Sequence, residues 1–281
     1  MRKSQLVVLV AAVILLAGLY FFGRTIPLKT VSSVPSSAVT PQDVRPADFQ
    51  TIIDSAKKTI SPQVLMEITS LEGSIIRGDL KDERIGVYHR LYAIWDSLSR
   101  VPIAAHYAGQ AAKLENSQKS LTFAANLFLS DLQHTEDPAL RKWEANEANS
   151  LLQQAISLDT GNDTIRVALA DSYIEGGDVM NGVRLLLEVT GRNPDNVQAN
   201  LMLGRLAVVS AQYQKAITRL QKVLDQHPKN AEAMYFLAEA YKGSGNDAKA
   251  IQLFNACKKL VNDTGFSHQI DRYIKTFSNN P

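Results

Sequence analysis

Apolar residues recur at a fixed interval along most of this chain. One position of the recurring segment is occupied by Leu91, Leu169, Leu203 and Leu237. Thirteen residues further on, the same segments have the small residues Ala104, Gly182, Ala216 and Ala250. The last three segments span residues 163–196, 197–230 and 231–264 without a gap, so the period is 34 residues. A fixed period of this length is typical of a solenoid built from stacked repeats.

Each segment has the residues expected of two helices joined by a tight turn. In residues 197–230, Gly204 and Ala216 are small enough for two helices to cross closely, and Pro228 marks a turn at the end. These residues, together with Leu203 and Tyr213, resemble the tetratricopeptide repeat, a helix–turn–helix unit. The resemblance implies an all-α fold, a tetratricopeptide-repeat solenoid in which successive repeats form a superhelix.

The period also divides the body of the chain. Tetratricopeptide-like repeats are predicted at residues 85–118, 119–162, 163–196, 197–230 and 231–264. The second is longer than the rest, and we expect its additional residues around Thr135 and Pro138. Residues 46–84 are predicted to be a helical N-terminal cap or a degenerate repeat. Residues 265–281 are predicted to form a capping helix, because the last repeat of a solenoid otherwise leaves its core open to water.

A continuous apolar run near the N-terminus predicts a membrane anchor. The run begins at Leu6 and ends at Phe22, after a short tail at residues 1–4. As a helix it would be roughly 25 Å long, close to the thickness of a bilayer core. A cleaved secretory signal is the alternative, but Gly23 and Arg24 follow the run without a small-x-small cleavage site. The sequence therefore favours an uncleaved transmembrane helix at residues 5–23.

The charges beside this run bear on its orientation. Arg2 and Lys3 lie on its N-terminal side, and Arg24 and Lys29 lie on the other side. The positive-inside rule favours a cytoplasmic N-terminus and a periplasmic repeat domain, so a single-pass protein of the inner (cytoplasmic) membrane is expected. Residues 24–45 are rich in Ser, Thr and Pro, and this composition predicts an extended linker.

Charge and composition exclude several classes of function. The net charge is +2, and residues 1–45 contain five cationic side chains against one anionic side chain, so the remainder carries about −2. A body without a cationic surplus is not suited to nucleic acid. The five histidines show no paired spacing of metal ligands, and no catalytic motif is present. We expect no cofactor, no metal, no small-molecule substrate and no enzymatic activity, with Cys257 filling the core.

The resemblance also implies a binding surface. In tetratricopeptide arrays the first helices of the repeats line a concave groove, and their fifth and ninth positions commonly face it. The fifth positions are His89, Phe123, Val167, Leu201 and Tyr235, a mostly apolar column. The ninth positions from the second repeat onward are Leu127, Asp171, Arg205 and Glu239. Such a surface suits an extended or helical segment of a partner protein. The alternative is that these side chains are buried by internal packing.

Together these features predict a membrane-tethered, non-catalytic scaffold or adaptor that binds other proteins. The architecture resembles bacterial inner-membrane proteins that hold a repeat domain in the periplasm and assist translocation, envelope assembly or cytochrome maturation. The alternative is a structural subunit of a larger membrane complex, which would use its transmembrane helix or its convex face. Fold alone does not decide between these two.

Overall fold

Over residues 44–77 and 80–278, which the computed structural model describes, the regular structure consists of thirteen α-helices and no strand. The helices are α1 Phe49–Lys57, α2 Pro62–Arg77, α3 Lys81–Ser97, α4 Val101–Glu115, α5 Gln118–Leu132, α6 Pro138–Leu158, α7 Asp163–Glu175, α8 Val179–Arg192, α9 Val197–Val209, α10 Tyr213–Gln226, α11 Ala231–Gly243, α12 Asp247–Val261 and α13 Thr264–Ser278.

From α3 onward the helices pack in consecutive pairs. The most extensive contacts join α3 to α4, α5 to α6, α7 to α8, α9 to α10 and α11 to α12. Each pair then contacts the next pair along the chain, and α13 packs against α12. Contacts restricted to sequence neighbours define a solenoid. The predicted all-α repeat array is therefore confirmed over the described residues.

Asparagine side chains start the first helices of three repeats. The Oδ1 atoms of Asn162, Asn196 and Asn230 accept hydrogen bonds from the backbone N–H three residues later, at 3.2, 2.9 and 2.9 Å. Each bond satisfies a donor that has no partner within the helix. Because these residues are 34 apart in the sequence, one local device fixes the start of α7, α9 and α11.

Left-handed residues make the turn inside each of these repeats. Gly177, Ala211 and Gly245 have φ values of +89°, +56° and +82° and are also 34 residues apart. At each turn a backbone N–H donates to the carbonyl five residues earlier, as Asp178 does to Tyr173 at 2.7 Å. This is the bond of a Schellman motif, which ends the first helix and redirects the chain.

Small residues allow the paired helices to approach closely. A Cβ on Gly204 would lie 2.6 Å from Cγ of Leu220, and one on Gly182 would lie 2.7 Å from the carbonyl oxygen of Ala170. Ala216 is fully buried in the same region. These distances leave no room for larger side chains, as the pattern of small residues predicts.

The second repeat differs from the others in its long second helix. A connection at residues 133–137 leads into α6, which has 21 residues, whereas α8 and α10 have 14 each. Trp143 lies near the start of α6, and the ring of Phe49 from α1 stacks on it at 5.8 Å between centroids. Phe49 also stacks on His106 of α4 at 3.6 Å, and Ala47 N–H donates to the Ala139 carbonyl at 2.9 Å. The helix α1 therefore lies against the second helices of the first two repeats.

The predicted anchor at residues 5–23 and most of the predicted linker at 24–45 lie outside the described residues. Among the helices at 44–77 and 80–278, none combines the length and the apolar character that a membrane span requires.

Candidate partner-binding surface

The first helices of the five repeats, α3, α5, α7, α9 and α11, contribute side chains to one surface, which we call the A-helix face. Tyr92 of α3 contacts Phe123 of α5 edge to face, with 6.1 Å between ring centroids. Arg205 of α9 approaches Glu232 of α11, with 3.8 Å between Nη1 and Oε1. The charges of Arg205 and Glu232 both act on the pKa of Asp171 in α7, the first lowering it and the second raising it. Side chains from successive repeats therefore meet on this face.

The fifth positions do not form one exposed apolar column. Phe123 is 51% exposed, but Val167 and Leu201 are only 6% and 5% exposed. Val167 belongs to the core that joins α4 to α9, and Leu201 belongs to the core of the last two repeats. At these two positions the expectation of an open apolar column is wrong, because the side chains fill the space between neighbouring repeats. Internal packing, the alternative interpretation, holds there.

The column begins with an exposed histidine. His89 places Nε2 2.7 Å from Oε1 of Glu115, the last residue of α4. The pair joins the two helices of the first repeat. His89 therefore combines an exposed ring with a contact inside its own repeat, and it is not part of an apolar surface.

The ninth positions divide into an apolar part and a charged part. Leu127 packs partly buried against the core. Burial raises the pKa of Asp171, the charge of Glu175 raises it further, and Arg205 opposes both. Asp171 and Arg205 therefore belong to a half-buried charged group, with Arg205 between acidic side chains.

The final helix covers the A-helix face at the fifth repeat. The hydroxyl of Tyr273 in α13 donates to Oε2 of Glu239 at 2.9 Å. The Lys242 ammonium lies 4.2 Å from the centroid of the Tyr273 ring. Tyr235 packs against Phe254, 5.6 Å between centroids, and burial raises its pKa to about 12. Glu239 and Tyr235 are thus engaged within the chain.

Tyr273 and Lys242 were missed as neighbours of the predicted site. The signal was present, because Tyr273 lies 34 residues after Glu239 and so occupies the ninth position of an incomplete sixth frame. Continuing the 34-residue period into the capping helix places Tyr273 one repeat after Glu239, at the same position of the frame.

The part of the chain that the structure describes has no cluster of three or more His, Cys, Asp or Glu residues that could hold a metal ion. Cys257 is buried, and its thiol lies 3.4 Å from the Ala231 carbonyl oxygen. Burial raises the pKa of this thiol, which favours the unreactive protonated form. Cys257 therefore packs the fifth repeat, as its position in the frame predicts.

Comparison with known families identifies the class of the helical pairs. A family model described as tetratricopeptide repeat matches residues 140–206 and 207–263. These residues are the region in which the helix pairs, the asparagine caps and the left-handed turns recur every 34 residues. The chain therefore carries tetratricopeptide repeats there, as the sequence predicts.

Comparison with individual proteins gives more distant likenesses. The chain is 30% identical over 110 residues to the probable UDP-N-acetylglucosamine–peptide N-acetylglucosaminyltransferase SEC of Arabidopsis thaliana. The match covers 39% of this chain and only 11% of that protein's length. Among solved structures, MamA is 17% identical, with 64% of this chain and 92% of MamA covered and a TM-score of 0.49. YrrB, described as a TPR protein with an unusual peptide-binding site, is 15% identical, with 72% and 97% covered and a TM-score of 0.47.

Proposed function

We infer that this protein is a non-catalytic scaffold that binds a segment of a partner protein on the A-helix face. The observation that carries this proposal is the approach of Arg205 to Glu232 at 3.8 Å between successive repeats, with Asp171 of the preceding repeat within electrostatic range of both, on one partly exposed surface. A partner segment that runs along the solenoid would contact all three. The match to the tetratricopeptide repeat at residues 140–206 and 207–263 also supports a binding role, because such repeats act in protein interaction.

The geometry limits what the partner segment contributes. Phe123 is half exposed and its ring is held by Tyr92, so it offers a fixed apolar contact of the kind that dominates interfaces. Arg205 lies between acidic groups and offers a site for a charged side chain. Because Val167 and Leu201 are buried, the segment does not gain apolar contacts there. We propose a segment with one apolar anchor near Phe123 and charged residues near Arg205.

Substitutions at the two partly exposed positions test this proposal. Phe123→Ala and Arg205→Ala remove partly exposed side chains, so each should change the free energy of unfolding by no more than about 1 kcal/mol. Each should weaken capture of the partner from native membranes by at least about 1 kcal/mol. Met66→Ala is the control, because Met66 is 68% exposed on α2, outside the repeats. Partner capture that survives in both variants, or that falls equally in the control, would refute partner binding on the A-helix face.

We further propose that residues 5–23 tether the scaffold to the bacterial inner membrane with the repeats in the periplasm. The apolar run from Leu6 to Phe22 and the N-terminal Arg2 and Lys3 support this placement. Translocation, envelope assembly and cytochrome maturation are the processes that such an architecture suits. A reporter that works only in the cytoplasm, fused after Pro281, should stay inactive. An active cytoplasmic reporter would reverse the proposed orientation.

A structural role in a larger membrane complex is the second candidate. Met180 and Leu187 favour it, because both are exposed on α8, a second helix, at 80% and 48%. Exposed apolar side chains on one helix face suit a lasting protein contact. Met180→Ala combined with Leu187→Ala should then release the chain from the complex while Phe123→Ala leaves it bound. The scaffold proposal predicts the reverse.

A further inference from the structure

A cleft lies between α8 and α10, beside the turn that joins the third repeat to the fourth. It has a volume of about 390 Å³. Its lining includes Thr190, Asn200, Lys215, Thr218, Arg219 and Lys222. We call it the α8–α10 cleft. Most of its lining comes from α10, with Thr190 from α8 and Asn200 from α9, and it includes none of the residues proposed to contact the partner segment.

Three cationic side chains of α10 enter the lining of this cleft. Lys215, Arg219 and Lys222 follow each other at intervals of four and three residues, which places them along one face of the helix. The carboxylate of Asp195 lies 3.5 Å from Lys222, and its side chain is 73% exposed. The Lys215 ammonium donates to the amide oxygen of Gln212 at 2.7 Å, which leaves its charge uncompensated by that contact. The cleft therefore carries a net positive charge.

Arg219 in the cleft lining is held by a hydrogen bond from its guanidinium. Its Nη1 donates to Oδ1 of Asn200 at 3.1 Å. Asn200 is 2% exposed, and its own amide group donates to the carbonyl oxygens of Pro194 and Asn196, both at 2.9 Å. The amide oxygen is thereby held towards the guanidinium. A buried asparagine, anchored to the turn between two repeats, thus sets the position of Arg219.

The Arg219 guanidinium is partly removed from water without an acidic partner. Among the ion pairs of the described residues, none joins Arg219 to a carboxylate within 4 Å. Burial lowers its pKa, as expected for a cation that loses solvent. A guanidinium has five N–H donors in a planar fork, and the bond to Asn200 uses one of them. Such a group is well suited to bidentate binding of a carboxylate.

We propose that the α8–α10 cleft binds an acidic peptide segment, whose carboxylate pairs with Arg219 while neighbouring acidic groups contact Lys215 and Lys222. Charge complementarity is the reason for this occupant. The Thr190 and Thr218 hydroxyls donate to the Leu187 and Gln214 carbonyls, at 3.3 and 3.0 Å, so the cationic side chains supply the donors for the carboxylate groups. Exposed Leu187 is three residues before Thr190 on the same helix face, so an apolar residue in the segment would also have a contact.

Fluorescence anisotropy with two labelled decapeptides tests this proposal. One peptide alternates Glu with Ala, and the other alternates Gln with Ala. The full-length chain should bind the Glu peptide at least about tenfold more tightly, and the preference should shrink as salt increases. Equal binding of the two peptides would overturn the proposal. Phe123→Ala should leave this binding unchanged, so the result is independent of the A-helix face.

Matched variants locate the binding in the cleft. Arg219→Gln and the pair Lys215→Gln with Lys222→Gln should each weaken Glu-peptide binding about tenfold, and Arg219→Lys should weaken it several-fold because the planar fork is lost. Lys259→Gln removes one exposed charge elsewhere and should have no effect. The lysine pair decides the matter if Arg219→Gln does not fold. An equal loss in Lys259→Gln would overturn the site. The site would also be overturned if the same residues were needed to bind phosphatidylglycerol vesicles while the Glu peptide did not bind.

Discussion

The hydroxyl of Tyr273 donates a hydrogen bond of 2.9 Å to Oε2 of Glu239, which lies 34 residues earlier in the chain. The spacing shows that α13 occupies the place of the first helix of a further repeat. It contributes Ile270 and Phe277 to the core of the fifth repeat, where both are buried. The last repeat is thereby closed against water, and its part of the A-helix face is covered by the chain itself.

Loss of this hydrogen bond should weaken the C-terminal end of the array. Tyr273→Phe leaves Oε2 of Glu239 without its donor, while Oε1 already has no partner among the described residues. We expect a loss of about 1 kcal/mol in the free energy of unfolding, measured with urea. Tyr173→Phe is the control, because the Tyr173 hydroxyl accepts an exposed bond from Gln153. Equal losses in the two variants would argue against a closing role for Tyr273.

Ala211 should be a site of stored backbone strain. It has a φ of +56° in the turn where the third and fifth repeats have Gly177 and Gly245. Ala211→Gly should stabilise the protein by about 0.5–1 kcal/mol, since the left-handed penalty exceeds the entropic cost of glycine. Gly177→Ala should destabilise the protein by a similar amount. Because a Cβ at position 177 meets no atom within 4 Å, this substitution tests the backbone conformation and not a steric clash. Thermal denaturation of both variants measures the effect, and a destabilised Ala211→Gly would refute it.

Leu201 and Phe123 should respond in opposite ways although they occupy the same position of their repeats. Leu201 is 5% exposed and packs in the core of the last two repeats, so Leu201→Ala should cost about 2–5 kcal/mol of folding stability. Phe123 is half exposed, and Phe123→Ala should cost far less. Urea denaturation of the two variants compares them directly. A stable Leu201→Ala protein would mean that this part of the column is open after all.

Glu144 should make stability depend on pH. It is fully buried, and burial raises its pKa to about 8, with the neighbouring carboxyl of Asp131 adding to the shift. Since the folded-state pKa lies above that of the unfolded chain, the stabilisation is complete below the unfolded pKa and is lost as pH rises towards about 8.

Glu144→Gln tests this dependence. In this variant the free energy of unfolding should no longer fall between the unfolded-state and folded-state pKa values of Glu144. For one proton that fall is at most about 1.4 kcal/mol per pH unit. Glu136→Gln removes the same charge from an exposed position of the same connection and should keep the decline. Urea denaturation from pH 5 to pH 9 provides the measurement. A decline that persists unchanged in Glu144→Gln would assign it to another group.

The sequence predicts the repeats well because their signals are local. Asn162, Asn196 and Asn230 cap helices through bonds to residues three positions away, and Gly177 and Gly245 supply turns that their own backbones allow. Such contacts recur with the period, and reading the period is enough to find them.

Contacts between distant elements are not encoded in this way. Phe49 is 94 residues from Trp143, and no period relates them, so the placement of α1 on α4 and α6 could not be predicted. The burial of Val167 and Leu201 could not be predicted from the sequence for a different reason. The frame shows which side of a helix a residue occupies, but the exposure of that side depends on how closely successive repeats approach, which side-chain volumes across the interface determine.

Site-specific photo-crosslinking in native membranes tests the central claim most directly. A photoreactive residue replaces Phe123 on the A-helix face or Met66 on α2, both of which are exposed. The account predicts one discrete protein adduct from position 123, none from position 66, and loss of the adduct when Arg205→Ala is added. Adducts of equal yield from the two positions, or an adduct at position 123 that Arg205→Ala leaves unchanged, would contradict partner binding on the A-helix face.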